Sequence, residues 1–266
     1  MSIVRDGIWL WGHEAGSHNS GWRLPGASAI APTDAAAYMG IPHLIMVVYG
    51  GKPEPPFDAY ARPFRILNRV VWSIIGDAGS TRNDTTSDLD PVIDLSTKLP
   101  NITGAIMDDI FHQEPDVQGR ISRVTVEQLA EFRDRLHAGP KPLDLWAVLY
   151  SHDLRWPVKE YMDLCDVVTF WTWHAKGIAL LEESLARLED VVGPKRKVLG
   201  CYMWDYGACM PMPVETMQHQ CDLGSRWLRE GRIEGMIFLA SCICDLGLEA
   251  VEWTRRWIDE VGDQPV

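Results

Sequence analysis

The sequence predicts an α/β fold, a single (β/α)8 TIM barrel that spans residues 1–266 as one domain. The length of 266 residues is close to the roughly 250 residues typical of such a barrel. Eight short runs rich in Val, Ile, Leu and Trp recur along the chain, and near-continuous apolar runs are typical of strands buried in a parallel sheet. The runs lie at 7–14, 43–51, 69–79, 104–112, 143–153, 166–175, 197–207 and 234–245.

Helix-like segments separate the runs. Thr125 is followed three positions later by Gln128, which has the form of a capping box at the start of a helix. Apolar residues at spacings of three and four over 178–192 predict an amphipathic helix that ends at Gly193. Pro213 is suited to the start of another helix. Alternating strands and helices indicate parallel α/β architecture.

The connections between these elements differ in length. The links that follow a strand are long and polar, at 12–26, 76–90 and 111–122, whereas links from a helix to the next strand are short. Long loops commonly hold binding and catalytic groups, and in an eight-stranded barrel they lie at the carboxyl ends of the strands. No glycine-rich phosphate fingerprint follows the first run, so a doubly wound nucleotide-binding sheet is kept only as a structural alternative.

Composition excludes several classes of partner. The hydrophobic content of 46% and charged content of 23% are those of a folded globular protein. A net charge of −12 opposes binding to nucleic acid or an anionic membrane, and no apolar stretch reaches the roughly 18 residues of a membrane span. Several cysteines fall in or beside strand-like runs, as small buried side chains do. We expect a cytoplasmic protein, or alternatively a secreted or periplasmic one without its leader; the oligomeric state stays open.

Acidic residues close several of the apolar runs, where they are costly to bury. Asp108 and Asp109 end the fourth run, Asp205 ends the seventh, and Glu14 ends the first. We expect these four to be candidate catalytic residues, although loop capping is an equally good interpretation of Asp205 and Glu14. Because adjacent residues of a strand face opposite sides, only one of Asp108 and Asp109 is expected to face the barrel mouth. The other would orient its neighbour or tune its pKa.

Aromatic and polar residues near the same strand ends are candidate ligand-binding groups. Indole rings offer flat, rigid walls for the C–H faces of sugar rings, and tyrosine hydroxyls can bond a polyol; core packing is the alternative interpretation. An Asp-x-Gly turn is a strong structural alternative for Asp77. The candidates are Trp11, His13, Tyr49, Asp77, Tyr150, Trp173, His174, Tyr202 and Trp204.

Two short motifs, GAIMDDIF in the fourth run and MWDYG in the seventh, resemble the broad group of TIM-barrel glycoside hydrolases and glycosidase-like proteins. The resemblance covers the whole chain in architecture but only these motifs in sequence, and it identifies no specific family. It implies cleavage of a glycosidic bond by Asp108 or Asp109 together with Asp205, with no cofactor and no metal, on a small-molecule or oligosaccharide substrate. One acid would protonate the departing oxygen, and the other would attack the anomeric carbon or activate water. Many such families use glutamates, so the aspartates are a departure.

Two other functions stay open. A metal-dependent sugar isomerase or epimerase would use Glu14, Asp109, His174 and Asp205 as oxygen and nitrogen ligands of a divalent ion. A non-catalytic carbohydrate-binding barrel would keep the tryptophans and need no convergent acids.

Overall fold

The computed structural model describes residues 2–266, and its eight main strands close into a parallel barrel. Each strand pairs with its neighbours in the sequence, and the last pairs with the first, which confirms the predicted (β/α)8 fold. The strands are β1 (Ile8–Gly12), β2 (His43–Met46), β3 (Arg69–Ile75), β4 (Ile102–Met107), β5 (Asp144–Tyr150), β6 (Val167–Trp171), β7 (Arg196–Tyr202) and β8 (Gly235–Leu239).

A helix follows each strand. The predicted capping box begins α4, where the Thr125 hydroxyl accepts from the Gln128 N–H and the Gln128 side chain accepts from the Thr125 N–H. No helix within residues 2–266 has both the length and the apolar character that crossing a membrane requires. The helices are α1 (Pro32–Met39), α2 (Asp58–Ala61), α3 (Leu89–Lys98), α4 (Val126–His137), α5 (Lys159–Met162), α6 (Leu181–Val192), α7 (Val214–Arg229) and α8 (Glu249–Val261).

Indole rings that pack edge to face lie inside the barrel. The rings of Trp9 and Trp146 lie 5.2 Å apart, and those of Trp11 and Trp171 lie 5.0 Å apart. Trp9 and Trp11 share a face of β1 because side chains alternate along a strand. A Cβ atom at Gly200 of β7 would lie 2.0 Å from the Trp171 ring. The narrow interior therefore holds this indole only because the neighbouring strand carries a glycine there.

The long polar connections all leave the carboxyl ends of the strands. The β1–α1 loop covers 13–31, the β3–α3 loop covers 76–88 and the β4–α4 loop covers 108–125, whereas the α1–β2 and α6–β7 links cover only 40–42 and 193–195. The predicted inequality of the connections is confirmed. It places the longest loops over one mouth of the barrel.

Candidate active site

A cavity of about 190 Å³ opens at the carboxyl ends of the strands. The Trp11–Trp171 layer, together with Val148 and Leu239, forms its floor. Its walls are largely aromatic, and faces of this kind bury the C–H surface of an amphipathic ligand. The aromatic walls comprise Trp22, Tyr49, Tyr150, Trp173, Tyr202 and Tyr206.

Asp108 and Asp109 both line this cavity. The expectation that only one of them faces the mouth was wrong, because β4 ends at Met107 and strand alternation no longer applies beyond it. Asp109 has a φ of 45°, in the left-handed region that aspartate enters more readily than most residues. The turn in the backbone lets consecutive side chains point to the same space.

The Asp109 carboxylate is held by donors from two other strand ends. Its Oδ1 accepts from the Tyr150 hydroxyl at 2.9 Å, and its Oδ2 accepts from the Ala78 N–H at 3.1 Å. Burial raises the pKa of Asp109, while these two hydrogen bonds stabilise the ionised form and oppose the rise. The carboxylate is thus fixed in direction by groups far away in the sequence.

Asp108 is the more strongly perturbed of the pair. Its side chain is buried, and this burial raises its pKa well above the ordinary value, with further contributions from the negative charges of Asp109 and Asp77. Arg123 is the nearby cation that opposes the rise. Its guanidinium is engaged, however, by the Gly76 carbonyl at 2.9 Å and other loop oxygens. Asp108 is therefore suited to carry a proton.

Asp77 adds a third carboxylate to the cavity lining. Its Oδ1 accepts from the Gly50 N–H at 2.9 Å and the Ser80 hydroxyl at 2.5 Å. Its Oδ2 accepts from the Gly79 N–H at 3.1 Å, so the Asp-x-Gly turn is present. The side chain fastens the β2–α2 loop to the β3–α3 loop and at the same time presents negative charge to the aspartate pair.

Asp77 and Asp109 lie side by side because consecutive amides bind them. The Ala78 N–H donates to Asp109 and the Gly79 N–H donates to Asp77. Like charges this close favour retention of a proton by one member of the cluster. Asp108, which is buried and next in sequence to Asp109, is the member best placed to keep it.

The β1–α1 loop covers one side of the cavity. Trp22, with a φ of 61°, donates from Nε1 to the Tyr49 hydroxyl at 3.0 Å, and its carbonyl accepts from Trp204 Nε1 at 3.1 Å. His18, on the same loop, is buried and its Nδ1 lies 3.1 Å from the Tyr206 hydroxyl. These contacts hold the loop as a wall over the aromatic side of the cavity.

Two neutral histidines lie beneath this wall. Burial lowers the pKa of His13 to about 4, and burial together with the neighbouring His13 lowers the pKa of His18 to about 2. Trp11 Nε1 donates to His13 Nε2 at 3.1 Å, so the His13 proton lies on Nδ1, which is 3.4 Å from the Val47 carbonyl. At neutral pH both rings are uncharged; the two ring nitrogens of His13 are taken by Trp11 and Val47, whereas in His18 it is Nδ1 that bonds Tyr206.

The cavity brings together nine of the residues predicted from sequence. They are Trp11, His13, Tyr49, Asp77, Asp108, Asp109, Tyr150, Trp173 and Tyr202.

Four predicted residues do not line the cavity: Glu14, His174, Trp204 and Asp205. Trp204 is buried beneath Trp22 and fastens it, as described above. His174 is exposed at the start of the 3-10 turn Ala175–Leu180.

Asp205 belongs to the turn that follows β7. It is only 6% exposed, and its Oδ1 accepts from the Ala208 N–H at 3.0 Å. The turn is a two-stranded ribbon in which Trp204–Asp205 pairs with Met210–Pro211. The structure thus makes Asp205 a cap of its own turn, and the expected pairing of Asp205 with the fourth-run acids is not formed.

The proposed metal-ligand set is not assembled either. Of Glu14, Asp109, His174 and Asp205, only Asp109 lines the cavity. Within residues 2–266, no group of three or more His, Cys, Asp or Glu side chains has an arrangement that could hold a metal ion.

Sequence reasoning missed His18, Trp22 and Tyr206 as lining residues. The sequence did carry a signal for His18 and Trp22. A long polar loop at a barrel mouth is an unusual place for a core side chain, so a histidine and a tryptophan in such a loop stand out. Tyr206 directly follows the Asp205 that attracted attention.

Comparison with known proteins identifies the fold. No protein-family model and no curated protein sequence matches this chain. Among solved structures, a GH18 chitinase from Cycas revoluta in complex with (GlcNAc)3 is 13% identical, with 94% of this chain and 99% of that chain covered and a TM-score of 0.58. The PgaB (BpsB) glycoside hydrolase domain from Bordetella bronchiseptica is 10% identical, with full coverage of both chains and a TM-score of 0.54.

A tryptophan synthase from M. tuberculosis is also similar, at 12% identity, 97% coverage of this chain, 93% of that chain and a TM-score of 0.51. The resemblance to TIM-barrel glycosidase-like proteins is therefore confirmed at the level of the fold. Since the same fold also serves a synthase, the reaction has to be argued from the site itself.

Proposed function

We propose that this protein is a carbohydrate-active hydrolase that cleaves a glycosidic bond at the Asp108–Asp109 pair. The observation that carries the proposal is the pair itself: two neighbouring aspartates that line one aromatic-walled cavity at the carboxyl ends of the barrel strands. Glycosidic-bond hydrolysis needs one protonated and one ionised carboxyl group at the same bond. When their surroundings make the pKa values of two acids different, one acid stays protonated while the other is ionised.

The hydrogen bonds divide the roles between the two aspartates. Tyr150 and the Ala78 amide stabilise negative charge on Asp109, so the shared proton resides on Asp108. Asp108 gives that proton to the glycosidic oxygen as the bond from the anomeric carbon breaks. Asp109 stabilises the positive charge that develops on the sugar and takes a proton from the water whose oxygen bonds to the anomeric carbon. The products are two hydroxyl compounds, and the proton returns to Asp108 through solvent.

The aromatic walls supply the sugar specificity of this scheme. Trp173 and Tyr202 contact each other edge to face, with ring centroids 5.7 Å apart, and Trp22 lies 5.9 Å from Trp173. Such rings are held by their neighbours before any ligand arrives, so little side-chain entropy is lost on binding. The similarity in fold to a chitinase solved with (GlcNAc)3 and to a glycoside hydrolase domain agrees with this proposal.

The test is hydrolysis of a panel of aryl glycosides and oligosaccharides built from common hexoses and N-acetylhexosamines. We expect the wild type to hydrolyse one class, and Asp108→Asn and Asp109→Asn to lose about 10²- to 10⁴-fold in turnover, the range for general acid–base groups. Asp163→Asn is the matched control, since Asp163 is an exposed acid paired with Lys159 at 2.7 Å.

Two results would contradict the proposal. Folded Asp108→Asn and Asp109→Asn proteins that both retain full turnover would remove the pair from the reaction. Calorimetric binding of sugars by the wild type with no product from any of them would indicate the non-catalytic carbohydrate-binding barrel instead.

A further inference from the structure

The acidic and the aromatic side chains of the cavity come from different parts of the barrel. Asp77 follows β3 and the aspartate pair follows β4, and these two strands are neighbours. Tyr202 ends β7, which lies four strands from β3 and therefore across the closed ring. We call Asp77, Asp108 and Asp109 the acidic side of the cavity, and Trp22, Trp173, Tyr202 and Tyr206 its aromatic side.

The acidic side is not balanced by a positively charged side chain in the cavity lining. Among residues 2–266, no lysine or arginine lines the cavity. The two histidines that do, His13 and His18, are neutral at neutral pH because burial lowers their pKa values. Arg123 is bound by loop carbonyls and by the Asp84 carboxylate at 3.0 Å. The cavity therefore presents negative charge that no lining side chain neutralises.

Asp77 is the member of the acidic side that the proposed hydrolysis does not use. Its Oδ1 accepts two hydrogen bonds, from the Gly50 N–H and the Ser80 hydroxyl. Within the described chain, its Oδ2 accepts from a single donor, the Gly79 N–H at 3.1 Å. Because a carboxylate oxygen has two acceptor positions, Asp77 Oδ2 keeps one position for a ligand.

Asp109 presents further acceptor positions beside Asp77. Its Oδ2 accepts from the Ala78 N–H, and Asp77 Oδ2 accepts from the next amide in the chain, that of Gly79. Oxygens bound by consecutive amides lie close together, and each has one position left among the described residues. The acidic side thus offers neighbouring acceptors, together with negative charge, to one ligand group.

An ammonium group matches this arrangement. It carries a positive charge and three N–H donors but no acceptor, and its hydrogen bonds to carboxylates are stronger than those between neutral groups. A sugar hydroxyl supplies one donor and no charge. A carboxylate on the ligand would be repelled, because it would add a like charge to the same space.

The aromatic side also favours a cation over an anion. The rings of Trp22 and Tyr206 lie 5.1 Å apart, and those of Tyr206 and Tyr202 lie 5.6 Å apart. The faces of such rings carry negative charge and attract cations. Both sides of the cavity therefore disfavour an acidic sugar.

We infer that the substrate is a glycan of amino sugars with free amino groups, and that Asp77 binds the ammonium group of the sugar in the cavity. This inference rests on the proposed hydrolysis and names its substrate class. Asp108 and Asp109 act on the glycosidic bond, and Asp77 selects the sugar. N-Acetylated sugars are poorer substrates because acetylation removes the charge and two donors. The net charge of −12 attracts a polycationic glycan to the protein.

The main experiment compares kcat/KM on aryl glycosides that differ in one substituent. For the gluco and the galacto series, the free-amino, N-acetylamino, hydroxyl and uronic acid forms are measured side by side. We expect the free-amino form of one series to exceed its hydroxyl form by at least about tenfold, the worth of hydrogen bonds to a charged group, and the uronic acid form to be slowest.

The outcomes separate this inference from the hydrolysis on which it rests. Hydrolysis in which the hydroxyl, N-acetylamino or uronic acid form equals or exceeds the free-amino form overturns the amino-sugar assignment and leaves the hydrolysis intact. If no glycoside is hydrolysed, calorimetry with glucosamine, galactosamine and the matching hexoses decides. Tighter binding of the amino sugar then supports ammonium recognition by a non-catalytic barrel, and equal binding overturns both proposals.

Asp77→Asn tests the residue that is proposed to bind the ammonium group. The substitution removes the charge and keeps the size of the side chain, so the ratio of kcat/KM on the free-amino form to kcat/KM on the hydroxyl form should fall at least about threefold, the lower end for a lost hydrogen bond. A ratio taken within one variant is insensitive to the fraction of protein that is folded. An unchanged ratio would overturn the role of Asp77.

Asp84→Asn is the matched control. It removes one negative charge from the same β3–α3 loop, but Asp84 is half exposed, pairs with Arg123 and does not line the cavity. We expect its ratio to equal that of the wild type. An equal fall in Asp77→Asn and Asp84→Asn would mean that the general charge of the loop, and not contact with Asp77, favours the amino sugar, which overturns the assignment. If Asp77→Asn does not fold, the wild-type comparison of the four substituents still decides the substrate class.

Discussion

The acids after β4 and the acid after β7 look alike in sequence and differ in what binds them. Asp205 accepts a hydrogen bond from Ala208, three residues away. Asp109 accepts from Ala78 and Tyr150, which are 31 and 41 residues away. A carboxylate bound by its own turn is a local cap, whereas one bound by donors from other strand ends is held where several elements converge. Burial alone does not single out the acids of the cavity, since Asp108, the neighbour of Asp109, and Asp205 are each 6% exposed.

The largest expected effect is on turnover. Asp109→Asn should lower kcat/KM on the hydrolysed glycoside by about 10²- to 10⁴-fold, because it removes the negative charge that the proposed mechanism places beside the anomeric carbon. Asp205→Asn should change it less than about tenfold, because an amide oxygen can still cap the turn. Steady-state kinetics of wild type and both variants measures these changes, and circular dichroism confirms that the variants are folded. A large loss in Asp205→Asn with little loss in Asp109→Asn would reverse the comparison.

The cavity that Asp108 and Asp109 line also depends on the packing of its floor, which includes Trp171. Gly200→Ala would place a Cβ atom 2.0 Å from the Trp171 ring, and overpacking of this kind costs about 1–3 kcal/mol. Urea unfolding should show a loss of this size. The control is Gly21→Ala, since a Cβ atom there meets nothing within 4 Å. Equal stability of the two variants would show that the floor can relax.

Substitution of Asp108 and of Asp205 should change the free energy of unfolding in opposite directions. The pKa of Asp108 is raised in the folded state, so above the ordinary aspartate pKa the unfolded chain releases a proton that the folded chain keeps. Stability is therefore full below that ordinary value and falls as pH rises towards the folded-state pKa. Asp108→Asn removes this penalty and should be more stable than wild type at neutral pH, with the advantage shrinking on acidification.

Substitution of Asp205, in the turn after β7, is expected to lower stability. Asp205→Ala removes the acceptor for the Ala208 N–H and should cost about 1 kcal/mol, as the loss of other capping groups does. Thermal unfolding of both variants at several pH values measures the two signs. Destabilisation by Asp108→Asn at neutral pH would contradict the account of that residue.

The smallest expected effect is at Tyr150. Tyr150→Phe deletes the 2.9 Å hydrogen bond to Asp109, which stabilises the ionised carboxylate. The pKa of Asp109 should rise, so the acid limb of the kcat/KM profile should move to higher pH, with a loss of about three- to tenfold in rate. An acid limb that does not move would show that Tyr150 does not influence the pKa of Asp109.

The barrel was predictable from sequence because each element carries its own local signal. Buried strands are continuously apolar, and Thr125 with Gln128 and Gly193 mark helix ends that the structure reproduces. The gathering of Asp77 with Asp108 and Asp109 was partly predictable, since strand ends meet at one mouth of the barrel.

Other parts of the site depend on backbone geometry that sequence patterns do not specify. Both aspartates face the cavity because β4 stops at Met107 and Asp109 adopts a positive φ. Trp22 forms a wall because its loop folds back onto Tyr49. Asp205 does not line the cavity because it caps the two-stranded ribbon to which it belongs. A prediction based only on an acidic residue at a strand end cannot distinguish such a cap from a cavity residue.

The most direct test of the proton assignment needs no substrate. The infrared C=O stretch of a protonated carboxyl group, recorded as the pH is raised above the ordinary aspartate pKa, reports whether Asp108 keeps its proton. The account predicts a band in the wild type that is lost in Asp108→Asn and kept in Asp205→Asn. A spectrum that Asp108→Asn leaves unchanged would contradict the claim that the buried aspartate after β4 carries the proton for the reaction.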